Sequence, residues 1–387
     1  MKNYLSINSL IPSFNKVLSI PGDKSLSIRW VLLASQAIGK SKAYNLLESD
    51  DVISAIVSMR RLGVEISKRN GYYEINGVGL SGFRHKDYLT LNAGNSGTFA
   101  RLLCGALAGN IRNVKLIGDA SLSKRDFSRV VEPLELFGIS IKTKKDKLPI
   151  IVKGSKYLRP IFYKEERGSA QVKSAILMAS LNTPGLTIVK SKLSRNHTEL
   201  MFKNCLKIPL KLERYKNYEI IKVEGKKNYK SFNYKIPGDI SSAAFFIALT
   251  VLADKSSLKM KNINYNKSRI GIIEILKRMR AKIKISNIKN YKGEKVADIS
   301  VTSSNNLIGI KCPKSLNTKT IDEFLIIFLV CAKAKGISKF VGIKELRQKE
   351  SDRLRIASRF LKSIGIKVDE KFDSLKIYGN PDLKIKK

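Results

Sequence analysis

Internal repetition constrains this chain more than any other feature of its sequence. In each copy a short polar motif opens a strongly apolar helix. A loop, a strand, an amphipathic helix and an alternating strand then follow. The first helices of five copies start at spacings of 71, 74, 70 and 83 residues, near Lys24, Asn95, Ser169, Asp239 and Asp322. This recurrence predicts a fold of several pseudo-equivalent modules.

The second helix of each copy ends on a recurring pattern. In the clearest cases Gly63, Gly138 and Gly365 each stand between a helical stretch and an alternating one. Glycine takes a positive φ at little cost, so it is typical of the residue that follows a helix. Each of these glycines therefore predicts a helix end followed by a strand.

The two helices of a copy differ in polarity. The first helices are apolar nearly all round, as at 243–249 and 325–330, which indicates burial inside a layer of other elements. The second helices carry a charged face, as at 272–278, which indicates an outer position. We therefore expect an α/β (α+β) fold in which inner and outer helices sandwich sheets.

Length and composition narrow the class of protein. A chain of 387 residues, 43% of them hydrophobic, predicts two or three domains. Apolar runs such as 324–332 are shorter than the ~18–20 residues of a membrane span, and Met1–Leu10 lacks the apolar core of a signal peptide. Four widely spaced cysteines and two histidines argue against a disulfide scaffold and a metal site. We expect a cytoplasmic protein without metal.

The formal net charge of +41 at pH 7 has two explanations. Clustered basic residues would indicate a polyanion such as a nucleic acid, but here the lysines are spread along the chain. Lysine, isoleucine and asparagine have A/T-rich codons, so compositional drift explains the excess without a ligand. A preference for small phosphorylated anions is the alternative.

Each copy opens with residues suited to binding anions. The N-terminus of a helix carries free N–H groups and partial positive charge, which favour phosphate or carboxylate. Hydroxyl, amide and cationic side chains recur at or near these helix starts, at Lys24, Ser25, Arg29, Arg125, Ser169, Gln171, Ser194, Arg195, Lys349 and Arg353. Gly97, Ala170 and the acidic Glu350 stand beside them. Taken singly, most of them also fit ordinary helix caps and solvated charges, and His197 is typical of a structural histidine.

Read together, these motifs resemble the 5-enolpyruvylshikimate-3-phosphate synthase family. The resemblance runs from Pro21 to about Gly379 and is carried by PGDKSLSIR, NAGNSGTFARLL, GDASLSKR, GSAQVKSAILMASL, SRNHTE, PGDISSAAFF, IDEF and RQKESDRL. It implies two domains that close on substrate, each of three βαβαββ units in an inside-out α/β barrel arrangement. One domain would comprise 1–23 and 238–387, and the other 24–237.

The resemblance also implies an activity. The enolpyruvyl group of phosphoenolpyruvate would pass to the 5-hydroxyl of shikimate 3-phosphate with release of phosphate. This is a step of the shikimate pathway of aromatic amino-acid biosynthesis. It implies no metal or organic cofactor, no membrane and no specific nucleic acid, and we expect a monomer.

The residue roles that the resemblance implies fall into three groups. The catalytic group is Lys24, Asp322 and Glu350. Contacts to shikimate 3-phosphate are assigned to Lys24, Ser25, Arg29, Ser169, Ala170, Gln171, Ser194, Arg195, Asp322 and Lys349. Contacts to phosphoenolpyruvate are assigned to Lys24, Gly97, Arg125, Gln171 and Arg353.

The sequence departs from the family pattern in two places that bear on activity. Asp126 stands where the family usually has proline, beside Arg125. The Asp-His-Arg motif and the later lysine of the family's sixth unit have no counterpart, so we expect that unit to be missing. Three hypotheses follow: an active transferase, an inactive member that binds shikimate 3-phosphate only, and a basic nucleic-acid-binding protein.

Overall fold

The chain divides into two compact units. In the computed structural model, unit 1 consists of Met1–Ile20, Ile240–Lys289 and Val296–Lys387, and unit 2 of Pro21–Asp239 and Asn290–Lys295. The structure describes residues 11–383. The prediction that Met1–Leu10 lacks the apolar core of a signal peptide therefore concerns residues outside the described range. The predicted domain bounds, 1–23 with 238–387 and 24–237, stay a prediction.

Helices are interspersed with single strands and groups of strands along the described residues. The helices are α1 Lys24–Ser35, α2 Asp50–Arg61, α3 Gly97–Ala106, α4 Ser128–Leu136, α5 Ala170–Asn182, α6 His197–Met201, α7 Ile240–Leu252, α8 Gly271–Arg278, α9 Asn317–Thr320, α10 Phe324–Ala332 and α11 Arg353–Ser363. The strands are β1 Asn15–Leu18, β2 Ile38–Tyr44, β3 Glu65–Arg69, β4 Tyr72–Val78, β5 Leu89–Asn92, β6 Val114–Ile117, β7 Ser140–Lys144, β8 Lys147–Lys153, β9 Phe162–Glu165, β10 Leu186–Lys192, β11 Leu210–Arg214, β12 Tyr218–Glu224, β13 Tyr234–Lys235, β14 Ser257–Asn264, β15 Lys282–Tyr291, β16 Glu294–Thr302, β17 Gly336–Val341, β18 Val368–Lys371 and β19 Ser374–Gly379.

The sheets repeat one pattern, which confirms the predicted internal repetition. Unit 2 contains the sheets β13-β2-β4-β3, β5-β6-β8-β7 and β11-β12-β10-β9. In each, one edge strand pairs in parallel with its neighbour and the other pairs are antiparallel. The described part of unit 1 contains β1-β14-β16-β15 and β17-β19-β18.

Two of these sheets are completed by strands from distant parts of the chain. In unit 1, β1 pairs in parallel with β14, with Asn15 opposite Ser257. In unit 2, β13 pairs in parallel with β2, with Tyr234 opposite Ala43. Unit 1 therefore needs the N-terminal strand as well as the second half of the chain, which makes it discontinuous in sequence.

The predicted helix ends are confirmed by backbone conformation. Gly63, Gly138 and Gly365 have φ values of +87°, +96° and +84°, in the left-handed region that glycine adopts without strain. The equivalent position of the fourth copy is Arg280, at φ +69°. Each of the three glycines lies two residues after the end of an outer helix, just beyond its C-cap residue, as the sequence pattern predicted.

The inner position predicted for the first helices is right for unit 2 and only partly right for unit 1. Nearly every residue of α1 and α5 is buried. In contrast, α7 leaves Phe245 61% exposed and Phe246 and Leu249 more than one-third exposed, and α10 exposes Leu325. Three such helices pack together in unit 2, whereas the described part of unit 1 contains two. A stripe on each of those two helices therefore lacks an apolar neighbour.

No helix within residues 11–383 combines the length and apolar character that crossing a membrane requires. The buried apolar side chains instead form two clusters. One cluster lies in unit 2 and extends from Leu26 to Ile236, and the other lies in unit 1 and extends from Ile20 to Ile377. Each unit thus has its own hydrophobic core.

A charged side chain lies inside the core of unit 2. Lys173 of α5 is fully buried, and its Nζ lies 2.6 Å from Oε1 of Glu199 and 2.6 Å from Oε1 of Glu219. Burial acts to lower the pKa of Lys173, but the two carboxylates outweigh burial and raise it. The lysine is therefore held charged, and α5 can be buried on all sides despite carrying it.

Replacing Lys173 is expected to destabilise the protein strongly. The substitution Lys173→Met leaves the buried carboxylate of Glu199 without Lys173 and that of Glu219 with only Arg214, 3.5 Å away. We expect this to lower the free energy of unfolding by about 3–5 kcal/mol. Urea unfolding followed by circular dichroism measures this change. The matched control is Lys222→Met, which removes the partner of an exposed carboxylate on Glu213. An equal effect of the two substitutions would contradict the prediction.

Candidate functional site

Arg29 joins two inner helices of unit 2, α1 and α5, to the start of α6. Its Nε donates to Oγ1 of Thr198 at 2.8 Å, and one terminal nitrogen donates to Oγ of Ser174 at 2.9 Å. The other terminal nitrogen donates to the carbonyl of Ser25 at 2.9 Å. Arg29 thus connects the start of α1 to the second turn of α5 and to the first turn of α6.

Burial and neighbouring charges set the properties of Arg29. The residue is only 3% exposed. Burial lowers the pKa of its guanidinium to about 10, while carboxylates including Glu199 and Asp23 act in the opposite direction. The group therefore stays a cation at neutral pH. The guanidinium group places a fixed positive charge next to the first turn of α1.

A second connection joins α3 to α5 through the predicted site residue Gln171. Its Oε1 accepts from Arg101 at 3.0 Å, and its Nε2 donates to Oγ1 of Thr98 at 2.9 Å. Arg101 also lies over the ring of Phe127, with 4.7 Å between the guanidinium carbon and the ring centroid. The amide of Gln171 is therefore held in one orientation.

Gly97 at the start of α3 lies against two guanidinium groups. A Cβ at this position would lie 2.7 Å from Arg101 and 2.9 Å from Arg125, which is closer than side-chain atoms approach one another. Arg125 in turn donates to Oδ1 of Asn95. Burial, followed by the charge of Arg125, lowers the pKa of Arg101 to about 10. The absence of a side chain at Gly97 thus allows two cations to lie at the mouth of α3.

Asp126 directs its carboxylate toward the next helix. Its Oδ1 accepts from the backbone N–H of Ser128 at 2.7 Å, and its Oδ2 lies 3.8 Å from Nε of Arg129. Burial acts to raise the pKa of this carboxyl, but the bonds from Ser128 and the nearby arginines outweigh it and lower the pKa. The acidic residue that replaces the family's proline therefore helps to start α4.

The start of α1 combines a fixed backbone with a more exposed lysine. Asp23 caps the helix by accepting from the N–H of Leu26 at 2.9 Å, and the N–H of Lys24 donates to Asp239 at 3.0 Å. The Nζ of Lys24 lies 2.9 Å from Asp51, and its side chain is 48% exposed. The cap fixes the first turn, while the ammonium group remains accessible.

Two hydroxyl groups lie at the predicted anion site of the third copy. Ser169 caps α5 by accepting from the N–H of Val172 at 3.4 Å, and Ala170 begins that helix. Ser194, in the loop before α6, has a buried Oγ with no hydrogen-bond partner among the described residues. Arg195 follows Ser194 directly and is half-buried. The loop of residues 194–196 thus combines a buried hydroxyl donor with a guanidinium group.

The predicted acid and base residues of unit 1 form an ion cluster. Oδ1 of Asp322 lies 3.6 Å from Nζ of Lys349 and 3.3 Å from a terminal nitrogen of Arg353. Arg353 also donates to Oε2 of Glu350. Two carboxylates and two cations therefore lie together before α10 and at the start of α11. The carboxylate of Asp352 caps α11 by accepting from the backbone N–H of Arg355 at 2.9 Å. The cluster therefore lies at a helix start whose backbone is fixed.

Four residues that the sequence-based prediction did not assign to the site contact residues that it did. Arg101 holds Gln171, and Thr98 completes the same bond network. Their signal in the sequence was position, since Thr98 follows Gly97 directly and Arg101 lies one turn later on α3. Ser174 and Thr198, which hold Arg29, carried no comparable signal.

Among the described residues there is no group of three or more His, Cys, Asp or Glu side chains arranged to hold a metal ion. The four cysteines are free thiols. Burial raises the pKa of Cys104 and Cys331 to about 12 and of Cys205 and Cys312 to about 11. Such thiols are protonated at neutral pH and are poor nucleophiles.

Comparison with known proteins identifies a group of relatives. A family model described as EPSP synthase (3-phosphoshikimate 1-carboxyvinyltransferase) matches residues 11–386. The 3-phosphoshikimate 1-carboxyvinyltransferase of Vesicomyosocius okutanii is 42% identical over 363 residues, which cover 94% of this chain and 82% of the relative. The protein of the same name from Zymomonas mobilis is 39% identical over 372 residues, with coverages of 95% and 82%.

Solved structures agree with this assignment. An EPSP synthase from Acinetobacter baumannii superimposes with a TM-score of 0.83 at 35% identity, over 95% of this chain and 82% of that chain. The enolpyruvyl transferase NikO from Streptomyces tendae has a TM-score of 0.70 at 13% identity and thus shares the fold. The predicted fold class is confirmed, whereas the prediction of a missing sixth unit is not tested. The chain belongs to the EPSP synthase (3-phosphoshikimate 1-carboxyvinyltransferase) family of transferases.

Proposed function

We propose that this chain transfers the enolpyruvyl group of phosphoenolpyruvate to the 5-hydroxyl of shikimate 3-phosphate and releases phosphate. The observation that carries the proposal is the network at the starts of α1, α3 and α5. Partial positive charge at helix N-termini and the cations Lys24, Arg29 and Arg125 are present in one unit. Such a network favours anionic substrates.

Shikimate 3-phosphate is assigned to unit 2. The buried hydroxyl of Ser194 is a donor without a partner among the described residues, and a phosphate oxygen would satisfy it. Arg195 offers a guanidinium group beside it, and Ser169 and Ala170 supply the start of α5. Lys24 and Ser25 would bind the ring substituents. Arg29 is almost fully buried, and its fixed positive charge would attract the carboxylate of shikimate 3-phosphate.

Phosphoenolpyruvate is assigned to Lys24, Gly97, Arg125, Gln171 and Arg353. The close approach of two guanidinium groups to Gly97 supports this assignment, because two neighbouring cations are favourable when a dianion neutralises them. Gln171 is held by Arg101 and Thr98, so its amide is oriented before any substrate binds.

The proton transfers are assigned to Asp322, Glu350 and Lys24. The 5-hydroxyl must lose a proton to a carboxylate as its oxygen attacks the central carbon of phosphoenolpyruvate, while the methylene carbon gains a proton. Loss of phosphate then returns a proton from the methyl group to the enzyme. Asp322 accepts the hydroxyl proton, and Lys349 and Arg353 stabilise its anionic form. Glu350 and Lys24 carry the other proton.

We also propose a cytoplasmic monomer, in keeping with the cysteine usage.

Phosphate release from the purified 387-residue chain in the presence of both substrates tests the activity. Release that depends on both substrates is expected. Calorimetric binding of shikimate 3-phosphate without any release at millimolar substrate would favour the inactive family member instead. Absence of both would overturn the proposal.

The Gly97→Ala substitution tests the phosphoenolpyruvate assignment. The added methyl group would displace the guanidinium groups of Arg101 and Arg125. We expect the KM for phosphoenolpyruvate to rise roughly 10–100-fold, since small displacements of positioned groups have effects of that size. The KM for shikimate 3-phosphate should rise less, because of its assigned contacts only Gln171 is held by a displaced residue, Arg101. Steady-state kinetics with each substrate varied in turn measure both values, and an equal rise in the two would contradict the assignment.

The Asp322→Asn substitution tests the assignment of the base. Asparagine keeps the shape of the side chain but cannot accept a proton, so kcat should fall by about 10²–10⁴-fold while shikimate 3-phosphate still binds. The matched control is Glu370→Gln, which alters a carboxylate of unit 1 that pairs with Arg347. The control should retain kcat. A D322N variant with unchanged kcat would exclude Asp322 as the base.

A further inference from the structure

Three consecutive side chains at the start of α6 bond to three different elements of unit 2. Nδ1 of His197 donates to Oε1 of Glu294 at 2.6 Å. Oγ1 of Thr198 accepts from Arg29 of α1, and Glu199 pairs with the buried lysine of α5. All three side chains are at most 2% exposed. The first turn of α6 is therefore fixed by charged partners on every side.

Glu294 differs from the other two partners in its place in the chain. It lies in the segment Asn290–Lys295, which belongs to unit 2, although the rest of β15 and β16 belongs to unit 1. Its side chain is fully buried together with that of His197. No sequence motif assigns a role to this segment, and His197 alone is typical of a structural histidine.

The segment that carries Glu294 is anchored at several points. The hydroxyl of Tyr291 accepts from the N–H of Lys235 at 2.9 Å, and its ring lies 5.4 Å from that of Tyr234. Gly293 has a φ of +88°, and a Cβ there would lie 2.2 Å from Nδ2 of Asn204. Glycine at this turn thus permits the close approach that brings Glu294 to His197.

We propose that Glu294 is a positioning residue for the 3-phosphate of the substrate, acting through His197 on the loop of residues 194–196. The inference rests on the proposed function, because it takes Ser194 and Arg195 as the phosphate contacts. The backbone runs directly from Ser194 to His197, so holding the imidazole holds the end of that loop. Without the carboxylate, the buried Nδ1–H of His197 would lose its acceptor, and the loop would be free to shift.

Calorimetry with two ligands tests this proposal. Shikimate 3-phosphate and shikimate differ only in the phosphate, so a defect of the loop should affect the first ligand alone. We expect Glu294→Ala to weaken the binding of shikimate 3-phosphate about tenfold and to leave the binding of shikimate unchanged. Glu294→Gln retains an oxygen that can accept from His197 and should restore most of the affinity. Glu294→Asp withdraws the carboxylate by one methylene and should not.

If Glu294→Ala does not fold, the affinities of Glu294→Asp and Glu294→Gln for shikimate 3-phosphate are compared instead. The matched control for general destabilisation is His85→Ala, which removes another buried histidine contact in unit 2, between His85 and Asn110. That variant should lower the Tm and keep the affinity for shikimate 3-phosphate. Combining Glu294→Ala with Ser194→Ala should give less than additive losses, since both act on one contact.

The results separate two kinds of failure. If the unaltered chain does not bind shikimate 3-phosphate, the proposed function fails. If the unaltered chain binds it, but Glu294→Asp and Glu294→Gln bind it equally well, the positioning role fails and the proposed function stands. Equal losses for shikimate and shikimate 3-phosphate would likewise exclude a role specific to the phosphate.

Discussion

An apolar helix that is buried on all sides can present its polar groups only at its ends, and this constraint governs the structure of unit 2. The three inner helices α1, α3 and α5 pack their apolar side chains into one core, and the polar side chains that connect them lie within their first two turns. Hydrogen bonds from Arg29 and Gln171 then join those turns. Packing of the buried helices thereby brings polar and cationic side chains together near the helix starts.

The charges that lie in this region are balanced within the protein. Lys173 lies between two carboxylates, His197 bonds to Glu294, and Arg29 donates to hydroxyl and carbonyl oxygens. A buried ionic group with such partners keeps one geometry, because losing a partner would leave an uncompensated charge. The side chains proposed to bind the substrates therefore contact groups that cannot rearrange without a large free-energy cost.

The predictions that depended on periodicity and local conformation agree best with the structure. The glycines after the outer helices have positive φ, and the start of α1 falls at Lys24 as predicted. The starts of α3 and α10 lie two residues later than predicted, because the polar residues before them cap or precede the helices. The exposed face of α7 around Phe245 was not predicted. An apolar sequence indicates that burial of a helix is favourable, but it does not show whether another element packs against that face.

The sequence by itself determined the repeats, the inner or outer place of most helices, the family and the residue types at each helix start. These follow from local preferences and from the pattern of apolar residues, which every copy carries in its own segment. Only the tertiary structure decided that Arg101 holds Gln171, that Asp126 turns toward Ser128, and that Glu294 meets His197. Two of these three contacts join residues about 70 and 97 positions apart. The packing of whole elements determines such pairs, and no periodic pattern in the sequence indicates them.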